Sequence, residues 1–177
     1  MHPTEQACNG GPSGALAAAF EAHHRRVFRA AFRVTGSVDD AEDILQTVFL
    51  NMMKRETAAG LDLGNDPKSY LCRAAVNAAL DVLRAKKRKT AIEGVAEDRE
   101  ETAGADVEVA RRELRRQLRH ALAQLSPRAA SIVALRFFEG YGNAEIATML
   151  GTSPSSIAVT LHRARQRLKA ELHEVGP

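Results

Sequence analysis

The stretch that decides the fold is NAEIATMLGTSPSSIAVTLHRARQRL, residues 143–168. Asn143 is predicted to cap a short helix, and Gly151 suits the left-handed residue that ends such a helix. Ser153 and Pro154 supply the N-cap and the first position of a second helix. Two helices joined by so short a turn predict a helix-turn-helix. The buried stripe of the second helix is predicted to be Ile157, Leu161, Ala164 and Leu168.

The opposite face of the second helix has small polar residues near its start and arginines further along. In a major groove, the first turns of such a helix reach base edges and the arginines reach phosphates. An ordinary helical hairpin with a solvated charged face would show some of these features, but the agreement of caps, turn and basic face favours DNA binding. The face consists of Ser155, Ser156, Val159, Thr160, Arg163 and Gln166.

The charge of the chain is unevenly distributed along its 177 residues, although the formal net charge is only +3. Residues 12–91 carry +4 and residues 109–177 carry +6, whereas the segment 92–108 between them carries −6. That segment has few large apolar residues and dense like charge, which is typical of a mobile linker. Residues 1–11 are predicted to be a disordered tail. The organisation expected is two small helical domains joined by a flexible acidic linker.

Helical periodicity accounts for both domains, and no segment shows the alternation typical of a strand, so the predicted fold class is all-α. The first domain shows three helical patterns. Ser37 and Asp40 resemble a capping box at the start of the second helix. The C-terminal domain shows a helix near 109–124, another after Ser126-Pro127, and then the helix-turn-helix. In the first domain, the buried stripe of the second helix is predicted to be Ile44, Leu45, Val48, Phe49, Met52 and Met53.

The third helix of the first domain carries a basic face with one amide in it. The face is either a phosphate track with Asn77 touching a base, or a solvated helix end whose cations interact with the helix dipole. The residues alone favour neither interpretation. Its members are Arg73, Asn77, Arg84 and Arg88, with Lys87 close by.

The second helix of the first domain has an acidic exposed face, which cannot be a DNA contact. The face is either a protein-docking surface or a helix start enriched in acids for dipole reasons. The dipole does not explain an exposed leucine at position 50. The face consists of Asp39, Glu42, Asp43, Gln46 and Leu50.

Several classes of protein are excluded by the composition. No apolar run approaches the roughly 20 residues of a membrane helix, so no membrane insertion is expected, and the N-terminus lacks the pattern of a secretory signal. Cys8, Cys72 and the pair His23–His24 lack the spacing of a zinc site, so no metal or other cofactor is expected. Two isolated cysteines indicate a reducing cytoplasm. No nucleophile set or phosphate-binding glycine loop indicates an enzyme.

Three separated segments resemble the sigma-70 family of RNA polymerase sigma factors. They are DDAEDILQTVFLNMMKR (39–55), KSYLCRAAVNAALDVLRAKKR (68–88) and LSPRAASIVALRFFEGYGNAEIATMLGTSPSSIAVTLHRARQRLKAEL (125–172). The presence of regions 2 and 4 alone, at 12–91 and 109–177, resembles the extracytoplasmic-function (ECF) group. This resemblance implies a transcription initiation factor that binds core RNA polymerase and promoter DNA, with an anti-sigma protein as a possible further partner.

The resemblance also implies roles for individual residues. The helix with Asn77 would read and open the minus-ten element, and the helix from Pro154 to Arg167 would read the minus-thirty-five element. The acidic linker would thread through the polymerase. The docking face would consist of Asp39, Glu42, Asp43, Gln46, Phe49 and Leu50, and the flipped-base loop of Leu61, Asp62, Leu63, Gly64 and Asn65.

The chain departs from the family pattern at four positions. Met53 and Tyr70 stand where tryptophan is frequent, which should alter packing more than function. Ala158 and Thr160 occupy positions that are commonly basic, which changes the expected minus-thirty-five contacts. The resemblance implies that Arg163 and Arg165 remain as the basic DNA contacts of this helix. The alternative function is a helix-turn-helix regulator whose N-terminal domain senses a ligand or dimerises. A sigma factor should bind polymerase through the acidic face, whereas such a regulator need not.

Overall fold

The computed structural model describes residues 14–59, 66–93 and 106–174. These three ranges contain seven α-helices and no strand, which confirms the all-α prediction. The helices are α1 (Gly14–Thr35), α2 (Val38–Ala59), α3 (Pro67–Glu93), α4 (Asp106–Gln124), α5 (Pro127–Phe137), α6 (Asn143–Leu150) and α7 (Pro154–Glu174).

Most helix ends follow the local rules that the sequence predicts. Gly36 ends α1 with a φ of +71°, a conformation that favours glycine. The Asp40 N–H donates to Ser37 Oγ at 3.2 Å, and the Ala129 N–H donates to Ser126 Oγ at 3.4 Å. Asp66 caps α3, because its Oδ1 accepts from the Ser69 N–H at 3.1 Å, and hydrogen bonds from Ser69 lower the pKa of the Asp66 carboxyl.

The start of α6 differs from the prediction by one residue. Asn143 is the first residue of the helix and Gly142 is its N-cap, so Asn143 does not cap it. The Glu145 carboxylate instead accepts the Gly142 N–H at 2.6 Å and satisfies a donor that the helix start leaves open. The other end is as predicted, since Gly151 adopts a left-handed φ of +59°.

Both helices that border the acidic linker extend into it. Helix α3 continues to Glu93 and α4 begins at Asp106, so both ends of the predicted linker 92–108 are helical. Residues 94–105 lie outside the described residues, as does the predicted tail 1–11.

The helices of the two predicted domains pack against each other. Helix α3 contacts α1 and α2 and also contacts α4 and α5, so one buried cluster runs through both halves of the chain. In α5 the six consecutive residues Ala130–Leu135 are all buried, because α3, α6 and α7 surround this helix. The sequence predicted two separate units and gave no sign of this packing.

Candidate nucleic-acid interface

The start of α7 is held by a network of serine hydroxyls. Ser153 Oγ accepts from the Ser156 N–H at 3.2 Å, as an N-cap should. The hydroxyls of Ser155 and Ser156 each lie 2.9 Å from the Ser153 hydroxyl. Ser155 and Ser156 are also exposed, so the cap orients two hydroxyls at the end of the helix that is predicted to meet base edges.

Further along α7 the exposed face alternates with a buried one. Ile157 is fully buried and Ala164 nearly so, whereas Val159 is 50% exposed and Arg163 is exposed. Thr160 is half-buried, and its hydroxyl donates to the Ser156 carbonyl at 2.8 Å. Because that donor is used within the helix, Thr160 offers its methyl group and an acceptor oxygen to a ligand.

Arg165 does not lie on the same face as Arg163. Its guanidinium lies over the Phe137 ring of α5, 5.8 Å from the ring centroid, in an apolar groove beside Leu168. Sequence reasoning overlooked Arg167, which is exposed and follows Arg163 by one helical turn. The spacing of positions 156, 160, 163 and 167 was the available signal for it.

The basic face of α3 is divided into two parts. Asn77 and Arg88 are exposed and Lys87 is half-buried, so the C-terminal part of the face is open. Arg73, at the N-terminal end, donates to the Met149 carbonyl at the end of α6. That contact places Arg73 against the helix-turn-helix, away from the open part of the face.

An acidic residue that is absent from the predicted set lies within this face. Asp81 follows Asn77 by one turn and forms an ion pair of 2.9 Å with Arg84. The Arg84 side chain is only 16% exposed, and its Nη2 is buried without a hydrogen-bond partner among the described residues. Arg84 is therefore partly neutralised by Asp81 and largely withdrawn from solvent.

A groove of about 410 Å³ lies between α2 and α3, near the start of α3. Arg55 donates to the Tyr70 hydroxyl across this groove, which fixes the ring at its wall. The predicted flipped-base loop 61–65 lies outside the described residues, which resume at Asp66 just before α3. The groove is lined by Thr47, Val48, Asn51, Met52, Lys54, Arg55, Tyr70, Ala74 and Ala78.

The acidic face of α2 is exposed as predicted, with one exception. Leu50 is 51% exposed, which neither a helix dipole nor a core position explains. Phe49 is only 8% exposed and makes an edge-to-face contact with Phe20, at a centroid distance of 4.9 Å. Phe49 thus belongs to the core stripe and not to the exposed face. The exposed members of the face are Asp39, Glu42, Asp43, Gln46 and Leu50.

The remaining acid at the start of α2 has a different role. Asp40 Oδ2 accepts from Lys86 Nζ at 2.6 Å, which ties the start of α2 to the basic tract of α3. In the part of the chain that the structure describes, Asp39, Glu42 and Asp43 have no ion-pair partner. The face is therefore an uncompensated negative patch beside an exposed leucine.

No helix in the described ranges is long and apolar enough to span a bilayer. The same ranges contain no group of three histidine, cysteine, aspartate or glutamate side chains placed to hold a metal ion.

Comparisons with known proteins agree with this geometry. Residues 19–89 match the family model of sigma-70 region 2, and residues 115–168 match that of sigma-70, region 4. The chain is 32% identical over 147 residues to the RNA polymerase sigma-E factor of Streptomyces avermitilis, an alignment that covers 82% of this chain and 78% of that protein. It is 26% identical over 161 residues to the ECF RNA polymerase sigma factor SigL of Mycobacterium tuberculosis, covering 91% and 90%.

Two solved structures share the fold. One is CnrH in complex with the cytosolic domain of CnrY, with a TM-score of 0.56, 20% identity, and coverage of 94% of this chain and 92% of that one. The other is the sigma factor RpoE in complex with the anti-sigma factor NepR from Bartonella quintana, with a TM-score of 0.52, 19% identity, and coverage of 92% and 99%. The two family models and the relatives in sequence together show that the chain belongs to the extracytoplasmic-function group of the sigma-70 family, and is a sigma factor that directs transcription initiation.

Proposed function

We propose that this sigma factor docks on core RNA polymerase through the exposed acidic face of α2 and reads its promoter with α3 and α7. The observation that supports this most is the separation of charge within the first three helices. Asp39, Glu42 and Asp43 form a negative face on α2, while Asn77 and Arg88 lie exposed on α3. One small helical unit thus offers different chemistry to a protein and to a nucleic acid.

The docking face suits a partner that is basic and has an apolar pocket. Glu42 and Asp43 would steer association with a positively charged surface on the polymerase. Leu50 would supply the apolar anchor. Its side chain is 51% exposed, so covering it with a partner would remove apolar surface from water and favour binding.

The minus-ten element would be read by the open part of the α3 face and by the adjacent groove. Arg88 and Lys87 would contact phosphates, and Arg84, whose side chain is 16% exposed and paired with Asp81, would add a weaker contact. Asn77 would hydrogen-bond a base, for which its amide has both a donor and an acceptor. Tyr70, at the groove wall, offers a ring on which a base of the opened strand could stack. The loop 61–65, which precedes α3 in the sequence, would hold a flipped base.

The minus-thirty-five element would be read by α7. Ser155 and Ser156 would meet base edges, and Val159 would contact a thymine methyl. Arg163 and Arg167 would contact phosphates, and Arg165 is left out of this set because it lies over Phe137. Because Ala158 and Thr160 are uncharged, α7 gains less binding energy from phosphate contacts. Its affinity for DNA would therefore depend more on how well its first turn fits the base edges.

Replacing Arg163 by alanine is expected to weaken binding to most duplexes alike. It should lower the slope of log affinity against log salt concentration by about 0.9, the value for one phosphate contact. Arg165→Ala is the matched control, since it removes an arginine of the same helix that packs on α5. Salt titrations of duplex binding by fluorescence anisotropy measure both slopes. Equal slopes for the two variants would remove Arg163 from the phosphate set.

Further roles follow from the same proposal. The acidic segment 94–105 would pass through a channel of the polymerase built for nucleic acid. The factor would act in the cytoplasm, without catalytic chemistry of its own.

An anti-sigma protein is a further partner we infer, since the sigma factor RpoE, whose fold the chain shares, was solved with one.

Co-elution with core polymerase tests this function against the alternative of a stand-alone helix-turn-helix regulator. The purified chain should co-elute with core polymerase on size exclusion without any DNA present. A regulator that senses a ligand or dimerises through its first three helices would elute separately from the polymerase.

A further inference from the structure

Helix α4 contains a four-residue repeat that neither of the two reading helices explains. Residues 111–122 read RRELRRQLRHAL, so a pair of basic residues opens each group of four and a leucine closes it. Positions four apart are neighbours on the surface of a helix, so the repeat places its basic residues along one side. The arginines of the repeat are Arg111, Arg112, Arg115, Arg116 and Arg119.

The row of leucines shows where α4 leaves the core. Leu122 is fully buried and Leu118 is half-buried, whereas Leu114 is 56% exposed. The first half of α4 is therefore only partly covered, and its arginines are exposed. Arg119 differs from the others, because its guanidinium lies against Gly36 at the end of α1. The α4 basic face thus consists of Arg111, Arg112, Arg115 and Arg116.

The first glutamate of α4 is only loosely paired with this face. Glu108 is shared by Arg112 and Arg115, at 3.8 and 3.6 Å, and both distances are too long for a hydrogen bond. These two arginine side chains are 46% and 61% exposed. The ion pair between Arg33 and Glu139 is closer, at 3.1 Å, and the Glu139 side chain is only 4% exposed. Arg112 and Arg115 can therefore exchange Glu108 for another anion at little cost.

The other acid on this part of α4 neutralises one arginine. Glu113 accepts two hydrogen bonds from Arg116, at 2.7 and 2.8 Å. Within the described residues, Arg111 has no ion-pair partner. Residues 108–116 hold four arginines and two glutamates, so this part of the helix carries a charge of +2.

The chemistry of the face suits the phosphates of a nucleic acid better than a membrane. Each guanidinium offers a planar fork of N–H donors that matches the oxygens of a phosphate. A helix that lies on a membrane needs a continuous apolar face beside its cations. The exposed apolar residues of α4, Val109 and Leu114, are five positions apart and lie about 140° apart around the helix, so they form no such face.

Helix α4 is also placed to face a duplex that α7 holds. The two helices pack against each other, and packed helices have axes about 8–10 Å apart. The major groove is about 12 Å wide and is bordered by two ridges of phosphates. While α7 lies in the groove, a helix packed beside it faces one of these ridges, as the first helix of a helix-turn-helix does when it crosses the backbone.

Helix α7 itself offers few cations to the phosphates. Arg163 and Arg167 are exposed, but Arg165 lies over the Phe137 ring. A recognition helix with two available arginines gains little affinity from the backbone, since each phosphate contact releases about one counterion. The α4 basic face supplies the cations that α7 lacks.

We propose that Arg111, Arg112, Arg115 and Arg116 of α4 form a second phosphate-binding face, which holds the duplex beside the minus-thirty-five element while α7 reads it. This inference rests on the proposed reading of that element by α7. The α4 face adds affinity that does not depend on sequence, and α7 supplies the choice of sequence.

A salt titration of duplex binding by the full chain tests the proposal. The probe is a fluorescent duplex of mixed sequence about four helical turns long, and the quantity measured is the slope of log affinity against log salt concentration. The double variant Arg112→Ala and Arg115→Ala should lower that slope by about 1.8, the value for two phosphate contacts. Replacing Glu108 by glutamine should act in the opposite direction and raise the affinity about threefold, because an acid beside the phosphates is removed.

The matched control keeps the charge and changes the side chain. Arg112→Lys together with Arg115→Lys should retain a salt slope near that of the parent. The urea midpoint of the alanine variant should also stay near that of the parent, because both side chains are exposed and alanine favours a helix. A parental slope in the alanine variant, or an equal loss of slope in the lysine variant, would overturn the proposal.

Combination with Arg163→Ala shows whether both helices hold the same duplex. The triple variant should lose about 2.7 in slope if they do, and a loss no larger than that of the α4 variant would refute a shared duplex. If Arg163→Ala alone lowers the slope and the α4 variant does not, the α4 face is wrong and the reading by α7 stands. The reverse result would retain the α4 face and remove Arg163 from the contacts of α7.

Binding to lipid vesicles provides the last comparison. Vesicles of phosphatidylcholine and phosphatidylglycerol in equal parts present anionic phosphates on a membrane surface. The parent and the alanine variant should bind them equally weakly. Strong binding by the parent that the alanine variant loses, together with an unchanged salt slope on the duplex, would assign the face to a membrane and overturn the proposal.

Discussion

Reversing two charges on α2, with Glu42→Lys and Asp43→Lys together, is expected to weaken binding to core RNA polymerase by about 100-fold. Two lysines facing a basic surface replace attraction by repulsion, and like charges brought together at an interface cost several kcal/mol. Both positions are exposed, so the reversal should leave the helical fold intact.

The matched control for this reversal is Glu21→Lys, which changes an exposed acid on α1 outside the docking face. It should leave the affinity near that of the parent chain. Surface plasmon resonance with immobilised core polymerase measures both, and the difference between the variants should shrink at high salt. A docking site elsewhere would be shown by equal affinities of the reversed and control chains.

Replacing Ile157 by alanine is expected to have the largest effect on stability. Ile157 is fully buried in the stripe that joins α7 to the rest of the helix-turn-helix, and removing such a side chain costs about 2–5 kcal/mol. That is a large part of the roughly 5–15 kcal/mol by which a domain is stable. Duplex binding should fall as well, because α7 loses its fixed position.

Val159→Ala provides the comparison, since position 159 lies two residues along the same helix but is 50% exposed. Its free energy of unfolding should stay within about 0.5 kcal/mol of the parent, while its preference for a site with thymine should weaken. Urea denaturation followed by circular dichroism measures the first quantity, and competition between duplexes measures the second. Equal losses of stability in the two variants would contradict the assignment of buried and exposed faces on α7.

Local chemistry explains why so much of the fold could be predicted. The turn at Gly151, the cap at Ser153 and the buried position of Ile157 each depend on residues within one or two turns. The same is true of the cap at Ser37. The wrong prediction at Asn143 also has a local cause. The Gly142 N–H donates to the Glu145 carboxylate, so the start of α6 needs no asparagine cap.

The family resemblance assigned Phe49 to the docking face and Arg165 to the DNA-binding face, but helical geometry places neither residue on those faces. Phe49 belongs to the apolar stripe of α2, and its ring is packed against Phe20. Arg165 follows Arg163 by two positions, which places it on nearly the opposite side of the helix. Periodicity would have excluded both residues from the exposed faces and would have included Arg167.

The packing between the two halves could not be predicted from local patterns. The Arg73 contact spans 76 positions and the Arg33 ion pair spans 106. A basic residue on a helix face has the same local signature whether it contacts DNA or a carbonyl on another helix. Charge also suggested separation, because the acidic segment between the halves is typical of a linker.

Transcription with purified components tests most directly whether this chain directs initiation. Core polymerase, the chain and fragmented genomic DNA are combined, and the 5′ ends of the transcripts are sequenced. Transcripts that depend on the chain and share two motifs upstream of their start sites are expected, and the α2 charge reversal should abolish them. A folded chain that yields no transcripts beyond those of core polymerase alone would contradict its role in initiation.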